Sequence, residues 1–467
     1  MAADSFNLPN RRTNDRKTVL FKSSVSVGDA AGTHRPGARG DRPLRPGLKQ
    51  GPPMTSKKTE LDLDFVRAQF PAACWDWAFF ENAGGSYVPN TVIERLTAYM
   101  SETQVQPGPN FPVAAKAQER MDAGHARMAA MIGAAPNEVV ITPSTSLNAY
   151  VLANALRRLW RPGDEVVVAI QNHEANSGAW RRLEEFGIKI LDWPVHPETG
   201  SLDVDLLDRL LTERTRLVAF PHVSNILGEI NDVEAITRKA HDAGAMVCVD
   251  AVAYAPHRAV DVKAWDVDFY LYSFYKIFGP HMGCLYGKFE LLEAAVNQSH
   301  YFFAADDIAH KLNPAGPQHE MIASLSGISD YLDAVADHHL AEPPNDPLAR
   351  SRAVFELFAD HEERLAVRFA EFLASKPGVR VIGPAGGAKR DRVATFSFVT
   401  DQHRSAALPP LTLADRVGLS NGHFYAKRLI EAVGIEDADD GVVRASMAHY
   451  TSDDDLDKLI GVLDRAL

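Results

Sequence analysis

The stretch Phe269-Tyr270-Leu271-Tyr272-Ser273-Phe274-Tyr275-Lys276-Ile277-Phe278-Gly279-Pro280 places a lysine directly after a long apolar run. Twenty-six residues earlier, Asp250 follows a second apolar run, Ala245 to Val249. Short apolar runs of this kind are typical of strands that are buried on both faces of a parallel sheet. A charged group at the end of such a strand is costly to bury without a partner. We therefore interpret Lys276 and Asp250 as functional residues.

A lysine and an aspartate at the ends of neighbouring buried strands are the groups that pyridoxal phosphate requires. The lysine forms a Schiff base with the cofactor, and the aspartate pairs with the ring nitrogen. The sequence thus predicts a pyridoxal phosphate site. The alternatives are that Lys276 is a surface lysine and that Asp250 caps the following segment. The apolar flanks of both residues argue against these alternatives.

Composition and length are those of an ordinary globular protein with a large core. The chain has 467 residues, enough for two or three domains, with 46% hydrophobic and 24% charged residues. No apolar run approaches the roughly 18 residues of a membrane span, and a net charge of -12 argues against general nucleic-acid binding. Three cysteines are too few for a disulfide framework, so we expect a reducing, cytoplasmic location.

The first 53 residues differ from the rest of the chain. They carry ten Lys and Arg against four Asp, and ten of the 22 residues from Gly32 to Pro53 are Gly or Pro. Such a segment buries too little apolar surface to offset its ordering entropy, so residues 1–55 are predicted to be a disordered basic segment. We favour the explanation that it precedes a true start at Met54 over a transit peptide or a nucleic-acid arm.

Strands and helices then alternate, which predicts an α/β fold with a buried, mostly parallel sheet and helices on both faces. The predicted strands are Glu138 to Thr142, Glu165 to Ile170, Ile188 to Trp193, Arg216 to Val223, Ala245 to Val249 and Phe269 to Phe274. The predicted helices between them are Leu147 to Leu159, Ser177 to Phe186, Val204 to Thr212 and Val233 to Ala243.

The pattern changes near residue 340, where Glu342-Pro343-Pro344-Asn345-Asp346-Pro347 indicates a linker. A smaller α+β domain is expected after it, with a long helix, a strand pair, a helix from Phe424 to Val433, a strand from Gly441 to Met447 and a final helix. The predicted organisation is an N-terminal segment that packs on the small domain (56–110), a large cofactor-binding domain (111–340) and the small domain (341–467).

Polar residues follow several of the predicted strands. In open α/β sheets, ligands bind beyond the carboxyl ends of the strands. Each residue also has a structural explanation: Ser144-Thr145-Ser146 could cap a helix or bind phosphate, His173 could be an ordinary loop histidine, and Asn225 a turn residue. Together with Asp250 and Lys276 they form a series that favours a common ligand site.

Six motifs together resemble the class V aminotransferases, and within them the cysteine desulfurase-like branch. The resemblance covers roughly residues 60 to 467. The motifs are Glu81-Asn82-Ala83-Gly84-Gly85, Asn172-His173-Glu174-Ala175-Asn176, His222-Val223-Ser224-Asn225-Ile226-Leu227-Gly228, Val249-Asp250-Ala251-Val252, Ser273-Phe274-Tyr275-Lys276 with Gly279-Pro280, and Val443-Arg444-Ala445-Ser446.

The resemblance implies a fold-type I enzyme with pyridoxal 5'-phosphate, usually a homodimer, with a seven-stranded type of sheet in its large domain. Lys276 would hold the cofactor and, once freed, move the Cα proton of the substrate. Asp250 would keep the ring nitrogen protonated, and His173 would stack on the ring.

The same resemblance implies the remaining site residues. Ser273, Thr145 and Ser146 would hold the phosphate, and Asn225 would lie near the ring oxygen or the substrate. Arg444 would bind a substrate carboxylate through its planar fork. The alternative for Arg444 is a surface ion pair, although its apolar neighbours favour the carboxylate role. No metal site is expected.

The departures from the family pattern bear on the reaction. The family's nucleophilic cysteine lies in a loop that matches residues 422–426, where Tyr425 takes its place, and no cysteine follows Cys284. A phenol cannot carry a persulfide. Ala253 replaces a glutamine near the ring oxygen, Tyr275 replaces the histidine before the lysine, and Pro317 replaces a hydroxyl residue in a loop that reaches the partner's phosphate.

We therefore expect an enzyme that acts on an amino acid through an external aldimine, as an aminotransferase or a lyase. One alternative is a cysteine desulfurase or selenocysteine lyase-like activity without that cysteine. Another is a non-catalytic scaffold, against which intact Lys276, Asp250 and Arg444 argue. A nicotinamide-dependent dehydrogenase would need a Gly-x-Gly-x-x-Gly motif at the first turn between strand and helix, and none occurs there. The substrate is not identified by these residues.

Overall fold

The computed structural model describes residues 60–314 and 316–467. The expectations for residues 1–55, including a start at Met54, lie outside this part of the chain and stay predictions.

Helices and strands alternate through most of the described residues. The helices are α1 (Leu63–Ala68), α2 (Asn90–Glu102), α3 (Pro112–Met131), α4 (Thr145–Leu156), α5 (Ala175–Arg181), α6 (Val204–Leu210), α7 (Val233–Asp242), α8 (Phe289–Ala294), α9 (Ile308–Lys311), α10 (His319–Ser324), α11 (Ser326–His339), α12 (Pro347–Ala374), α13 (Leu408–Thr412), α14 (Lys427–Ala432) and α15 (Asp453–Ala466). No helix in residues 60–314 and 316–467 combines the length and the apolar composition that a membrane span requires.

The strands form one large sheet and two smaller ones. They are β1 (Ala78–Phe79), β2 (Val139–Thr142), β3 (Glu165–Ala169), β4 (Lys189–Trp193), β5 (Thr215–Pro221), β6 (Met246–Asp250), β7 (Phe269–Ser273), β8 (Gly283–Gly287), β9 (Val379–Ile382), β10 (Thr395–Thr400), β11 (Val417–Gly418), β12 (Ser420–Gly422) and β13 (Val442–Ser446).

The large sheet has seven strands in the order β2-β8-β7-β6-β5-β3-β4. The neighbours β7, β6, β5, β3 and β4 run parallel, whereas β8 is antiparallel to both β7 and β2. The prediction of a mostly parallel seven-stranded sheet is thereby confirmed. Since β8 returns antiparallel beside β7, the stretch that carries Lys276 lies between two paired strands rather than at the entrance to a long helix.

Helices cover both faces of this sheet, as the alternation predicts. Successive residues of β3 point to opposite faces: Val167 packs into the apolar cluster that contains Met128 of α3, and Val166 into the cluster that contains Leu152 of α4. Because both faces are covered, the central strands read as continuous apolar runs. Polar groups that must meet a ligand are thus restricted to the ends of the strands.

A second sheet of four antiparallel strands has the order β12-β13-β10-β9. Helices α12 and α15 pack on it through a separate apolar cluster that includes Phe369 and Leu459. The short strand β1 pairs in parallel with β11, so the segment near residue 80 contacts this C-terminal part of the chain. The predicted domain boundaries at 110 and 340 stay predictions.

The structure corrects one predicted element of the C-terminal part. The helix that was expected from Phe424 begins only at Lys427. Phe424 and Tyr425 have φ angles of 46° and 61°, in the left-handed region that a right-handed helix excludes. These two residues therefore belong to the preceding loop.

Candidate functional site

The predicted site residues meet at the carboxyl end of the large sheet. Asp250 ends β6, and Lys276 follows β7, its direct neighbour in the sheet. A cleft opens above them. Its inner part is lined by Ser144, Thr145, Ser146, His173, Ala175, Pro221, Val223, Asn225, Asp250, Val252, Ala253, Ser273, Tyr275 and Lys276. Its outer part, of about 580 Å³, adds Glu81, Ala83, Gly84, Tyr150, Glu174, Phe424, Tyr425 and Arg444.

The amine of Lys276 is buried, and its Nζ donates a hydrogen bond of 2.6 Å to the carbonyl oxygen of Ala83. Burial lowers the pKa of Lys276 to about 8, and the nearby cation of Arg444 adds to this effect, against the opposing pull of Asp250 and Glu81. An ammonium group loses its proton more readily when its charge is desolvated. A useful fraction of Lys276 is therefore neutral near pH 8 and able to act as a nucleophile or base.

The carboxyl group of Asp250 is 5% exposed, and its Oδ1 accepts a hydrogen bond of 2.9 Å from the backbone N–H of Val252. Burial raises the pKa of Asp250 to about 6, although this hydrogen bond and the charge of Lys276 oppose the shift. At neutral pH the group is thus mainly a carboxylate held at a desolvation cost. A buried anion of this kind gains strongly from a cationic ligand atom.

The imidazole of His173 is neutral over the physiological range. Burial lowers its pKa to about 3, with further contributions from Lys276 and Arg444. Its Nδ1 accepts a hydrogen bond of 3.1 Å from the backbone N–H of Ala175, which leaves the proton on Nε2. The ring lies 5.4 Å from the ring of Tyr425 at the mouth of the cleft. A neutral, flat ring in this position can stack on an aromatic ligand.

The beginning of α4 lies beside β7 and presents hydroxyl groups to the cleft. Ser144 caps the helix by accepting from the N–H of Leu147, whereas Thr145 bonds to Ser273 through their hydroxyl oxygens at 2.7 Å. Ser146 is exposed to the cleft. The first N–H groups of a helix lack partners within the helix and favour an anion. Both the cap and the phosphate interpretations of this segment are therefore compatible with its geometry.

A glycine on β8 allows this helix terminus to come close to the sheet. A Cβ atom at Gly283 would clash with the backbone of Ser144 and Thr145. The inner part of the cleft lies beside this helix terminus and the end of β7. This contact explains why β8, which the sequence analysis did not predict, matters to the site.

Arg444 lies on β13, with its side chain only 3% exposed, and forms an ion pair with Glu81. Its Nη1 also donates to the backbone oxygen of Asn225 at 3.3 Å, and its guanidinium lies 3.6 Å from the ring centroid of Phe424. Its Nε is buried without a hydrogen-bond partner among the described residues. The alternative of a surface ion pair is wrong as to location, because the guanidinium is buried and the pair lies in the wall of the outer part of the cleft.

The side chain of Asn225 supports the loop that precedes α14. Its Nδ2 donates to the carbonyl oxygen of Phe424 at 2.9 Å, and its Oδ1 is buried with no partner in the described part of the chain. The backbone N–H of Glu174 also holds this loop, by donating to the oxygen of Tyr425 at 2.7 Å. Two successive non-glycine residues with positive φ are costly unless the surroundings fix them. Tyr425 is thereby held at the mouth, with 69% of its surface exposed.

The three cysteines do not line the cleft. Cys248 and Cys284 are buried in β6 and β8, and burial raises the pKa of the Cys284 thiol to about 12. Cys74 is partly buried, and burial raises the pKa of its thiol too. All three thiols are therefore poor nucleophiles.

Sequence reasoning missed three contributors to the site. Glu81 and Ala83 lie in a motif that was recognised but given no role, and Phe424 was assigned to a helix. The available signal was a carboxylate, that of Glu81, in a motif that ends in two glycines. Nothing in the local sequence indicates that this segment returns to Arg444, 363 residues later in the chain.

The arrangement fits pyridoxal phosphate on the chemistry of its groups. An amine of lowered pKa and a desolvated carboxylate end adjacent strands. A capped helix terminus with hydroxyl groups borders the inner part of the cleft on one side, and the unpartnered Oδ1 of Asn225 lies on another. These groups match an aldehyde, a pyridine nitrogen, a phosphate and a further polar substituent.

Comparison with known proteins agrees with this site. The family model described as "Aminotransferase class-V" matches residues 78–304 and 350–459. The chain is 34% identical to an aminotransferase-like protein, FGM3, of Gibberella zeae, over 88% of this chain and 99% of that protein. It is 32% identical to the cysteine desulfurase-like protein ustD of Aspergillus flavus, over 88% and 92% of the two chains.

A solved structure of the cysteine desulfurase CsdA of Escherichia coli, in its S-sulfonic acid form, superposes with a TM-score of 0.72. It is 26% identical and covers 87% of this chain and 98% of its own. The expected fold type I architecture and the expected use of pyridoxal phosphate, which members of this family share, are thereby confirmed. The chain belongs to the class V aminotransferase family, in its cysteine desulfurase-like branch, and is a pyridoxal phosphate-dependent enzyme.

Proposed function

We propose that this enzyme transforms an amino acid at its α-carbon, as an aminotransferase or a lyase, without a thiol nucleophile. The observation that carries the proposal is the loop before α14: it holds Tyr425, and no cysteine, at the mouth of the cleft. The poor reactivity of the three buried or partly buried thiols supports it. A persulfide intermediate has no suitable sulfur acceptor in this cleft.

Pyridoxal phosphate supplies an aldehyde that links covalently to amines and a ring that accepts electrons from the substrate's α-carbon. Lys276 is the residue that holds it. The lowered pKa of Lys276 makes its amine available as a neutral nucleophile near pH 8, and later as a base for the Cα proton. Its position between Ala83 and the end of β7 keeps the Nζ inside the cleft.

Asp250 stabilises a positive charge on the ring nitrogen, since its carboxylate is desolvated and fixed by the N–H of Val252. His173, as a neutral imidazole, would stack on the ring. Ser273, Thr145 and Ser146 would bind the phosphate together with the first N–H groups of α4. Asn225 supplies its Oδ1 to the ring substituent or to the substrate.

Arg444 binds the substrate carboxylate. Its guanidinium is oriented by the ring of Phe424 and by the backbone oxygen of Asn225, and its unpartnered Nε offers a further donor. A planar fork with fixed orientation suits bidentate binding of a carboxylate.

A second candidate function is release of sulfide or selenide from cysteine or selenocysteine without a protein thiol. Bacterial relatives are named as cysteine desulfurases, among them that of Pectobacterium atrosepticum, at 30% identity. This activity would use the same Lys276 and Asp250, and it would convert cysteine to alanine while an added reductant takes up the sulfur as sulfide.

The products distinguish these functions. Purified enzyme loaded with pyridoxal phosphate is incubated with single amino acids, with and without 2-oxo acids. The proposal predicts a new amino acid from a 2-oxo acid, or a 2-oxo acid formed by elimination. Because no persulfide is expected on the protein, the mass of the intact protein should not change when it is incubated with cysteine.

A matched control is Cys74→Ala, which removes the most accessible thiol and is expected to leave activity unchanged. Alanine formation together with a protein persulfide that this variant abolishes would contradict the proposal. Alanine and sulfide formed from cysteine in the presence of a reductant, at equal rates in both proteins, would favour the second candidate, whereas sulfide formed together with pyruvate would indicate elimination.

We further propose a cytoplasmic homodimer that takes a small-molecule amino acid and binds neither nucleic acid nor membrane. Support for the dimer comes from the exposed apolar side chains of Tyr301 and Phe302, at 95% and 66%. Sedimentation analysis of the holoenzyme tests the dimer, and a monomer at micromolar concentration would contradict it.

A further inference from the structure

The turn from Glu81 to Gly85 reaches two of the site's charged groups. The carbonyl oxygen of Ala83 accepts from Lys276, and the carboxylate of Glu81 pairs with Arg444. The turn is anchored from the side of the C-terminal sheet, where the hydroxyl of Ser446 accepts from the N–H of Ala83. Its backbone is therefore held in place, while the Glu81 side chain projects into the cleft.

The Glu81 carboxylate packs against a glycine. A Cβ atom at Gly84 would lie 2.8 Å from Oε1 of Glu81, closer than such atoms approach. The absence of a side chain at Gly84 lets the carboxylate fold back over the turn toward Arg444. One carboxylate oxygen meets the guanidinium, and the other, Oε2, is buried with no partner within the described residues.

We propose that Glu81 occupies the place of the substrate carboxylate on Arg444, so that a substrate binds by exchanging its own carboxylate for that of Glu81. The inference rests on the proposed role of Arg444 in substrate binding. It makes Glu81 a specificity-determining residue, which limits the substrates to free amino acids and excludes amides and esters of the carboxyl group.

The side chains of Arg444 and Glu81 differ in their freedom to move, and this difference makes the exchange possible. The Arg444 side chain is 3% exposed and held by Phe424 and Asn225, whereas that of Glu81 is 22% exposed and lines the open part of the cleft. Glu81 can therefore turn toward solvent while Arg444 stays in place.

The charge balance explains the selectivity. Leaving a buried guanidinium without an anion is strongly unfavourable, so Glu81 departs only when another carboxylate replaces it. A neutral amide cannot supply that charge. The other acids at the cleft do not substitute for Glu81: Asp250 lies at the end of β6, and Glu174 is directed to Arg428, at 3.6 Å.

Competition by Glu81 is measured with a ligand that has a carboxylate but no amine. Propionate is titrated calorimetrically into the holoenzyme and into its Glu81→Gln variant, with propionamide as the neutral isostere. The glutamine side chain of the variant keeps the shape of the Glu81 side chain and one acceptor oxygen, but it carries no charge. We expect Glu81→Gln to bind propionate roughly tenfold more tightly, since a charge-assisted bond no longer competes. The affinity for propionamide is expected to be the same in Glu81→Gln and in the parent.

The matched control is Glu174→Gln, which removes a negative charge from the same cleft without touching Arg444. We expect it to leave propionate affinity within about twofold of the parent, because its charge is solvated. The thermal midpoint of Glu81→Gln is lower than that of the parent, and propionate raises it by a larger increment.

Unchanged or weaker propionate binding by Glu81→Gln, an equal gain for propionamide, or an equal gain in Glu174→Gln would overturn the inference. So would the lack of propionate binding in all three proteins. Propionate is not turned over, so this result is independent of the reaction type. Failure of the proposed function would instead appear as an absence of products from every amino acid.

Discussion

Replacing Asp250 by asparagine is predicted to change activity and stability in opposite directions. The amide keeps the shape of the side chain, and its Oδ1 can still accept the N–H of Val252, as the carboxylate does at 2.9 Å. Only the charge is removed. The variant therefore separates the electrostatic role of Asp250 from its structural role.

The stability effect follows from the pKa of Asp250, which burial raises from 3.8 to about 6. Because the unfolded chain ionises at the lower pKa, the carboxylate destabilises the folded protein above pH 6 and contributes nothing below about pH 4. At 1.36 kcal/mol per pKa unit, the cost is about 3 kcal/mol. Asp250→Asn therefore raises the free energy of unfolding of the cofactor-free protein by up to that amount at pH 8.

Asp250→Asn is expected to lower catalytic activity although it raises stability. Loss of one fixed electrostatic contact in an active site typically lowers kcat by about 10²–10³. The assay is urea unfolding of the cofactor-free protein at pH 4 to 8, together with kcat of the holoenzyme on any amino acid that is turned over.

Asp268→Asn is the matched control. Burial would raise the pKa of Asp268, but bonds to His241 and Lys288 outweigh it and the pKa is lowered. This carboxylate stabilises the fold at neutral pH, so its removal lowers the free energy of unfolding and leaves kcat unchanged. A fall in stability with Asp250→Asn at pH 8, or an unchanged kcat, would show that the Asp250 carboxylate has neither the desolvation cost nor the electrostatic role assigned to it.

Three further predictions concern other parts of the site. The rate of pyridoxal phosphate uptake, followed by absorbance, should rise with a midpoint near pH 8, since the pKa of Lys276 is lowered to about 8 from 10.5; a midpoint near 10 would contradict this. Gly283→Ala should weaken cofactor affinity at least tenfold by displacing the start of α4, whereas Gly386→Ala, where a Cβ meets nothing within 4 Å, should not. Asn225→Ala should release the loop with Phe424 and Tyr425 from its left-handed conformation and make it the preferred site of limited proteolysis; unchanged cleavage would argue against this support.

The large sheet was predictable because its strands are buried on both faces. A run such as Val166-Val167-Val168 has no exposed face and so appears as a continuous apolar segment. The ends of β3, β6 and β7 were correct to within one residue, since a polar residue interrupts each apolar run near the end of its strand. The positions of Asp250 and Lys276 at neighbouring strand ends followed from this pattern.

Other features depend on contacts that are distant in the chain. β8 is an antiparallel return strand that begins and ends at a glycine, and no α-helix separates it from β7. Local periodicity therefore gave no sign of it. The loop with Phe424 and Tyr425 takes its conformation from Asn225 and from the backbone of Glu174, about 200 residues or more away. The partner of Arg444 was missed for the same physical reason.

Borohydride reduction of the holoenzyme, followed by peptide mass analysis, shows whether Lys276 holds the cofactor covalently. We expect the reduced holoenzyme to carry one pyridoxyl group, on the peptide that contains Lys276, and Lys276→Ala to carry none and to be inactive. A pyridoxyl group on another lysine, or a Lys276→Ala variant that stays as yellow and as active as the parent, would contradict it.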